Sequence, residues 1–81
     1  MEELIRNAEH KVVGTKQTLK ALEKGEVKMV FIARDAEDKV IRPVQSMCEA
    51  KAIEFHYIDS MVQLGKACGI KVKAAVAAIT E

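Results

Sequence analysis

Met29-Val30-Phe31-Ile32-Ala33 is an unbroken apolar run, and its shortness decides what it can become. It is too short for a buried helix but matches a strand covered on both faces, since a strand with one wet face would alternate apolar with polar side chains. Two covered faces require layers on either side, so the rest of the chain has to supply helices. Leu4, Ile5 and Ala8 form one stripe of a short first helix, and Lys11-Val12-Val13 reads as a brief extended piece. Gly14 breaks the pattern. Thr15 then suits the N-cap of a second helix that turns Leu19 and Leu22 inward and stops before Gly25.

Beyond the apolar run, Arg34-Asp35-Ala36-Glu37-Asp38 begins the return connection, with room for a short helical turn before Pro43, and Pro43 suits the start of a third helix. Val44, Met47, Cys48 and Lys51 follow at helical spacing, the lysine offering its aliphatic stem to the core. Glu54-Phe55-His56-Tyr57-Ile58 is a strand by its aromatic and β-branched content. Ser60 and Gln63 match a capping box for a fourth helix, with Leu64, Ala67 and Cys68 facing inward and Gly69 ending it. Ala74-Ala75-Val76-Ala77-Ala78-Ile79 reads as a last strand from its length and position, although its alanines alone equally permit a helix. Helices alternating with strands predict an α/β fold, a three-layer α-β-α sandwich with a four-stranded mixed sheet.

With 81 residues, 49% of them hydrophobic, the expectation is one domain, 1–81, with one core and no second unit. Such a domain buries only about two-thirds of its unfolded surface, which favours a surface binder over an enzyme with a deep cleft. No stretch approaches the roughly twenty apolar residues of a membrane span, and Met1-Glu2-Glu3 lacks the basic flank of a signal peptide. A cytoplasmic monomer with no membrane partner is expected. Cys48 and Cys68 stand far apart, outside any Cys-x-x-Cys spacing and without a nearby histidine, so both read as reduced thiols, with no metal and no cofactor implied.

A formal charge of +1 conceals an uneven distribution. Segment 11–24 carries Lys11, Lys16, Lys20 and Lys24 against Glu23 alone, and segment 64–73 carries Lys66, Lys71 and Lys73 against no acid. The two stretches hold a net +6, and the remainder therefore holds −5. If they meet in space they form a patch for an anion. The second helix sharpens this expectation. A helix start carries partial positive charge and favours Asp or Glu, with lysine disfavoured by about 0.3–1 kcal/mol. Here Lys16 and Lys20 are read into the first turns, and the only acid, Glu23, lies near the other end. An anionic ligand such as phosphate would gain from the backbone N–H groups, the dipole and the lysines together; otherwise this is an ordinary solvated lysine face.

Gly69-Ile70-Lys71-Val72-Lys73 alternates apolar with charged residues in a predicted loop. Either Ile70 and Val72 begin the last strand and are buried, or they press on an unstacked base while Lys71 and Lys73 hold its phosphates. Chemistry elsewhere is poorly supported. Cys48 and Cys68 fall on inward stripes with no adjacent base, which favours core thiols over nucleophiles. His10 and His56 share no motif. Asp35, Glu37 and Asp38 lack the glycine and distal glutamate of a calcium loop and read as a solvated acidic turn. The glycines Gly14, Gly25, Gly65 and Gly69 make no nucleotide-binding loop.

Val13-Gly14-Thr15-Lys16-Gln17-Thr18-Leu19-Lys20-Ala21-Leu22-Glu23-Lys24-Gly25, then Met29-Val30-Phe31-Ile32-Ala33-Arg34-Asp35, then Leu64-Gly65-Lys66-Ala67-Cys68-Gly69 resemble, in that order, the kink-turn-binding ribosomal proteins of archaea and eukaryotes. The chain is more similar still to the short bacterial, YbxF-type members of that family, which share the Gly-Thr-Lys-Gln-Thr form. The resemblance implies an α-β-α sandwich that binds kink-turns, RNA bends built on tandem sheared G·A pairs, in ribosomal RNA or a riboswitch. It implies RNA contacts from Gly14, Lys16, Gln17 and Lys20, which match the signature Gly-x-Asn-Glu-x-x-Lys, with Thr15 capping the helix behind them. It implies further contacts from Ile70, Lys71, Val72 and Lys73, which match the family's specificity loop. Lys16 and Gln17 depart from the signature's Asn and Glu. An amide still donates and accepts on base edges and lysine still donates to guanine or phosphate, so RNA binding is expected to survive. A protein-interaction module of the same fold, meeting an acidic partner through the patch, is the alternative.

Overall fold

The apolar run lies inside the sheet. In the computed structural model, which describes residues 2–80, the elements are α1 (Glu2–Asn7), β1 (Lys11–Val13), α2 (Thr15–Glu23), β2 (Val27–Ala33), α3 (Asp38–Ala50), β3 (Glu54–Ile58), α4 (Met61–Ala67) and β4 (Val76–Thr80). The sheet order is β1-β4-β2-β3. Strand β2 runs parallel to β3, joined to it across α3, and antiparallel to β4, which is antiparallel to β1. Val30, Phe31, Ile32 and Ala33 are all buried, as a strand with two covered faces demands. Helices α2 and α3 pack together on one side and α1 and α4 on the other, which makes the three-layer α-β-α sandwich.

Strand β4 resolves the ambiguity of the alanine run. Val76, Ala77 and Ala78 are buried between β1 and β2, with Ala77 opposite both Val13 and Phe31. Small side chains at the sheet centre let the helices approach closely. The strand begins later than predicted: Ala74 and Ala75 precede it, and Ala33 N–H reaches the carbonyl of Ala75 at 2.9 Å.

Four local expectations are corrected. Helix α3 starts at Asp38 and contains Pro43 rather than beginning there. Ile41 belongs to the same inward stripe as Val44 and Cys48, and burying that stripe outweighs the hydrogen bond that proline omits. Lys39 and Pro43 are both exposed, so water can reach the carbonyl left free. Lys51 is the exposed C-cap of α3 rather than a residue of its inward stripe. Leu4 is 46% exposed, and Ile5 alone of the α1 residues is buried, because so short a helix has room for one inward position. Thr15 is not the N-cap of α2; Gly14 is, at φ 110°, and no side chain caps that end.

At α4 the expected cap forms, as the Ser60 half of the capping box. Ser60 is the N-cap and its Oγ accepts from Gln63 N–H at 3.1 Å. Asp35 Oδ1 adds a second cap, accepting from Met61 N–H at 2.8 Å. The expected solvated acidic turn therefore does structural work, tying the end of β2 to the start of α4.

Candidate nucleic-acid interface

Strands β1, β2 and β3 end, and β4 begins, at the same edge of the sheet. One backbone hydrogen bond there ties the first basic stretch to the strand that follows the second: Gly14 N–H donates to the carbonyl of Val76 at 2.8 Å. Gly14 opens α2, and Val76 follows Lys73 after two alanines. The start of α2 thus lies against the first residue of β4, three positions beyond Lys73.

Glycine is required at 14 because φ 110° is closed to ordinary side chains. A Cβ there would also meet the side-chain amide of Gln17, which folds back over the helix start. Lys16 and Gln17 are exposed beside it, and the first turn holds no acidic residue. Lys20 is exposed too, but it lies in the last turn of this short helix, not in the first turns. A cation there suits the dipole, so the inverted charge order rests on Lys16.

The loop 69–73 is held at both ends. Gly69, at φ 78°, terminates α4; Ile70 N–H donates to Gly65 O at 3.1 Å, and Ala74 N–H donates to Met61 O at 3.0 Å. The two sequence readings of Ile70 and Val72 divide between the residues. Ile70 packs partly buried on the core, whereas Val72 is 71% exposed, flanked by exposed Lys71 and Lys73. An apolar side chain standing in water between two cations contributes nothing to the core and is suited to a ligand. Among the described residues no ion pair engages Lys16, Lys20, Lys71 or Lys73.

The remaining cations of the two stretches serve elsewhere. Lys11 Nζ donates to the carbonyls of Ile5 at 3.2 Å and Arg6 at 3.4 Å, closing the end of α1. Lys24 caps the C-terminus of α2, a helix length of about 13 Å from its start. Lys66 lies in the last turn of α4.

Both thiols are buried. Cys48 is fully buried, and that burial, assisted by the adjacent Glu49 carboxylate, pushes its pKa up to about 11. Burial also raises the Cys68 thiol, partly opposed by Lys11. A mild alkylating reagent at neutral pH should leave both unmodified over a time in which the denatured chain is fully labelled; mass spectrometry reads the difference. No group of three or more His, Cys, Asp or Glu side chains suited to a metal gathers among the described residues, and no helix there is long and apolar enough to cross a membrane.

Gly65 was missed at the sequence level. It is buried in α4, and a Cβ on it would land on the carbonyl oxygen of Val72, 3.1 Å from that carbonyl's carbon and 3.2 Å from the Cα of Lys73. Its absent side chain is what lets the loop lie against the helix. A glycine inside a helical pattern was the available signal.

The fold and this edge define a class: a small α-β-α sandwich that presents a helix start and an anchored basic loop side by side. The chain belongs to the Ribosomal protein L7Ae/L30e/S12e/Gadd45 family, which it matches over residues 1–81. It is 53% identical to an RNA-binding protein of Halalkalibacterium halodurans over 95% of this chain and 94% of that one. It is 44% identical to the RNA-binding protein YbxF of Geobacillus stearothermophilus over 84% of this chain and 83% of that one. Among solved structures, the Giardia lamblia 15.5kD RNA binding protein superposes with a TM-score of 0.92 at 27% identity, covering 99% of this chain and 70% of that one.

Proposed function

We propose that this protein binds structured RNA through the edge formed by the start of α2 and the loop 69–73, and that its target is a kink-turn whose bent form it stabilises. The observation supporting the proposal is the Gly14–Val76 hydrogen bond, which ties the start of α2, with exposed Lys16 and Gln17 and with Lys20 further along the helix, to the strand that follows exposed Lys71, Val72 and Lys73. The RNA-binding names of its relatives support the same ligand. Gly14 lets RNA approach the backbone, and its neighbour Thr15 opens the helix. The Lys16 ammonium meets phosphate or a guanine edge at the positive end of the helix dipole. The Gln17 amide donates and accepts on the sheared G·A bases, Lys20 holds the adjacent backbone, and Val72 covers an unstacked base while Lys71 and Lys73 hold its phosphates. Ile70 shapes the loop from below.

Binding the bent form better than the extended one shifts the RNA toward the bend by that difference in affinity, with no chemical step. One domain, acting as a monomer in the cytoplasm on ribosomal RNA or a riboswitch, suffices for this role. A gel shift with a simple kink-turn, and with the same RNA after its G·A pairs are replaced by Watson–Crick pairs, tests the proposal. Binding should be at least tenfold tighter to the first, and both affinities should fall as salt rises because phosphate contacts release counterions. Equal affinity for the two RNAs would reduce the interaction to attraction by a basic patch.

A further inference from the structure

Arg34 lies outside both basic stretches, yet it stands at the same edge of the sheet. Its N–H donates to the carbonyl of Ile58 at 2.9 Å, and the preceding Ala33 bonds Ala75, next to the residue that bonds Gly14. With strands about 4.8 Å apart, Arg34 is within roughly 10–15 Å of the start of α2. Its side chain is organised. The guanidinium carbon lies 5.2 Å from the ring centroid of Tyr57, and Nε is 3.8 Å from Asp59 Oδ1. Tyr57 is fixed in turn, by a hydrogen bond between its hydroxyl and Gln45 Nε2 and by an edge-on contact with Phe55 at 6.1 Å.

The guanidinium stands over the Tyr57 ring without being covered by it, and 63% of the Arg34 side chain is open to solvent. Two parts of an RNA fit such a group: a phosphate at its N–H edge, or a base stacked on its plane. Local charge decides between them. The Asp59 carboxylate already pairs with Nε and is itself 83% exposed, and Asp35 and Asp38 follow within four residues, the Glu37 between them being paired with Lys39 at 3.6 Å. A phosphate would approach against fixed negative charge, whereas a neutral base would not. We propose that Arg34, backed by Tyr57, is a stacking platform for an unpaired nucleobase of the bound RNA, extending the footprint from the α2 start toward strand β3.

This inference rests on the RNA-binding reading, and one experiment separates their failures. Kink-turn RNAs carrying 2-aminopurine at one unpaired position each are titrated with wild-type protein, Arg34→Lys, Arg34→Gln and Tyr57→Leu, all checked for an unchanged thermal midpoint. Wild type should quench the probe at one position. Arg34→Lys keeps the charge and loses the plane, so it and Tyr57→Leu should both abolish that quenching and weaken binding about tenfold, with the salt dependence unaltered. No quenched position with wild type, or full affinity in all three variants, overturns the platform. Arg34→Lys binding as wild type while Arg34→Gln alone is weakened would mean a point charge on phosphate, which also overturns it. Wild type that binds none of these RNAs defeats the RNA-binding reading itself, and the platform with it.

Discussion

Lys16→Glu should weaken RNA binding about a hundredfold while leaving the protein as stable as before or slightly more so. A hydrogen bond from a charged donor is worth about 1.5–3 kcal/mol, and a carboxylate in its place adds repulsion from the same phosphate. The sum approaches the 2.7 kcal/mol or so that a factor of one hundred represents. Folding responds in the opposite direction. Lys16 lies in the first turn of α2, which has no acidic residue and no side-chain cap, so a glutamate there gains about 0.3–1 kcal/mol from the helix dipole. Opposite signs for affinity and stability are the signature of a residue kept for its ligand. Thermal melts beside gel shifts read both, and a variant that binds as wild type would remove Lys16 from the interface.

Gly65→Ala should lower the thermal midpoint by about 5–15 °C and weaken RNA binding as well. Alanine normally stabilises a helix interior relative to glycine by about 1 kcal/mol. Here the added methyl meets the backbone of Val72 and Lys73, and backbone cannot rotate out of its way as a side chain can. Overpacking of this kind costs about 1–3 kcal/mol, and each kcal/mol moves the midpoint of a domain this size by about 4–8 °C. The loop that must give way carries Lys71, Val72 and Lys73, so binding falls with stability. Gly25→Ala is the matched control: at φ 72°, with nothing within 4 Å of the added carbon, it strains the far end of α2 without touching the loop. It should lower stability and spare affinity. Gly65→Ala with unchanged affinity would show that the loop's conformation does not matter to binding.

These two residues also mark where sequence reading succeeds and where it stops. Strand β3 has the bounds expected of it and Ser60 caps α4 as expected, because both depend on neighbours in the chain. Misjudged positions depended on distant partners. Pro43 sits inside α3 because Ile41 is buried on the same stripe, a tertiary gain that outweighs a local rule. Lys11 was counted with the patch, yet its ammonium closes α1. The closeness of Gly65 to Val72 and the position of Arg34 over Tyr57 join separate elements and have no period or spacing to reveal them. The two basic stretches were found by counting charge, but it is the pairing of β1 with β4, extended by the Gly14–Val76 bond, that draws the α2 start toward the strand following the second stretch.

Titration of nitrogen-15-labelled protein with a kink-turn RNA, followed by amide chemical shifts, tests that junction most directly. Large shifts should appear together, at one RNA equivalent, for residues 14–20 and 70–73, while Ile5, Lys24 and Glu49 stay in place. Shifts confined to one of the two segments, or centred on the opposite edge of the sheet, would contradict a single RNA-binding surface.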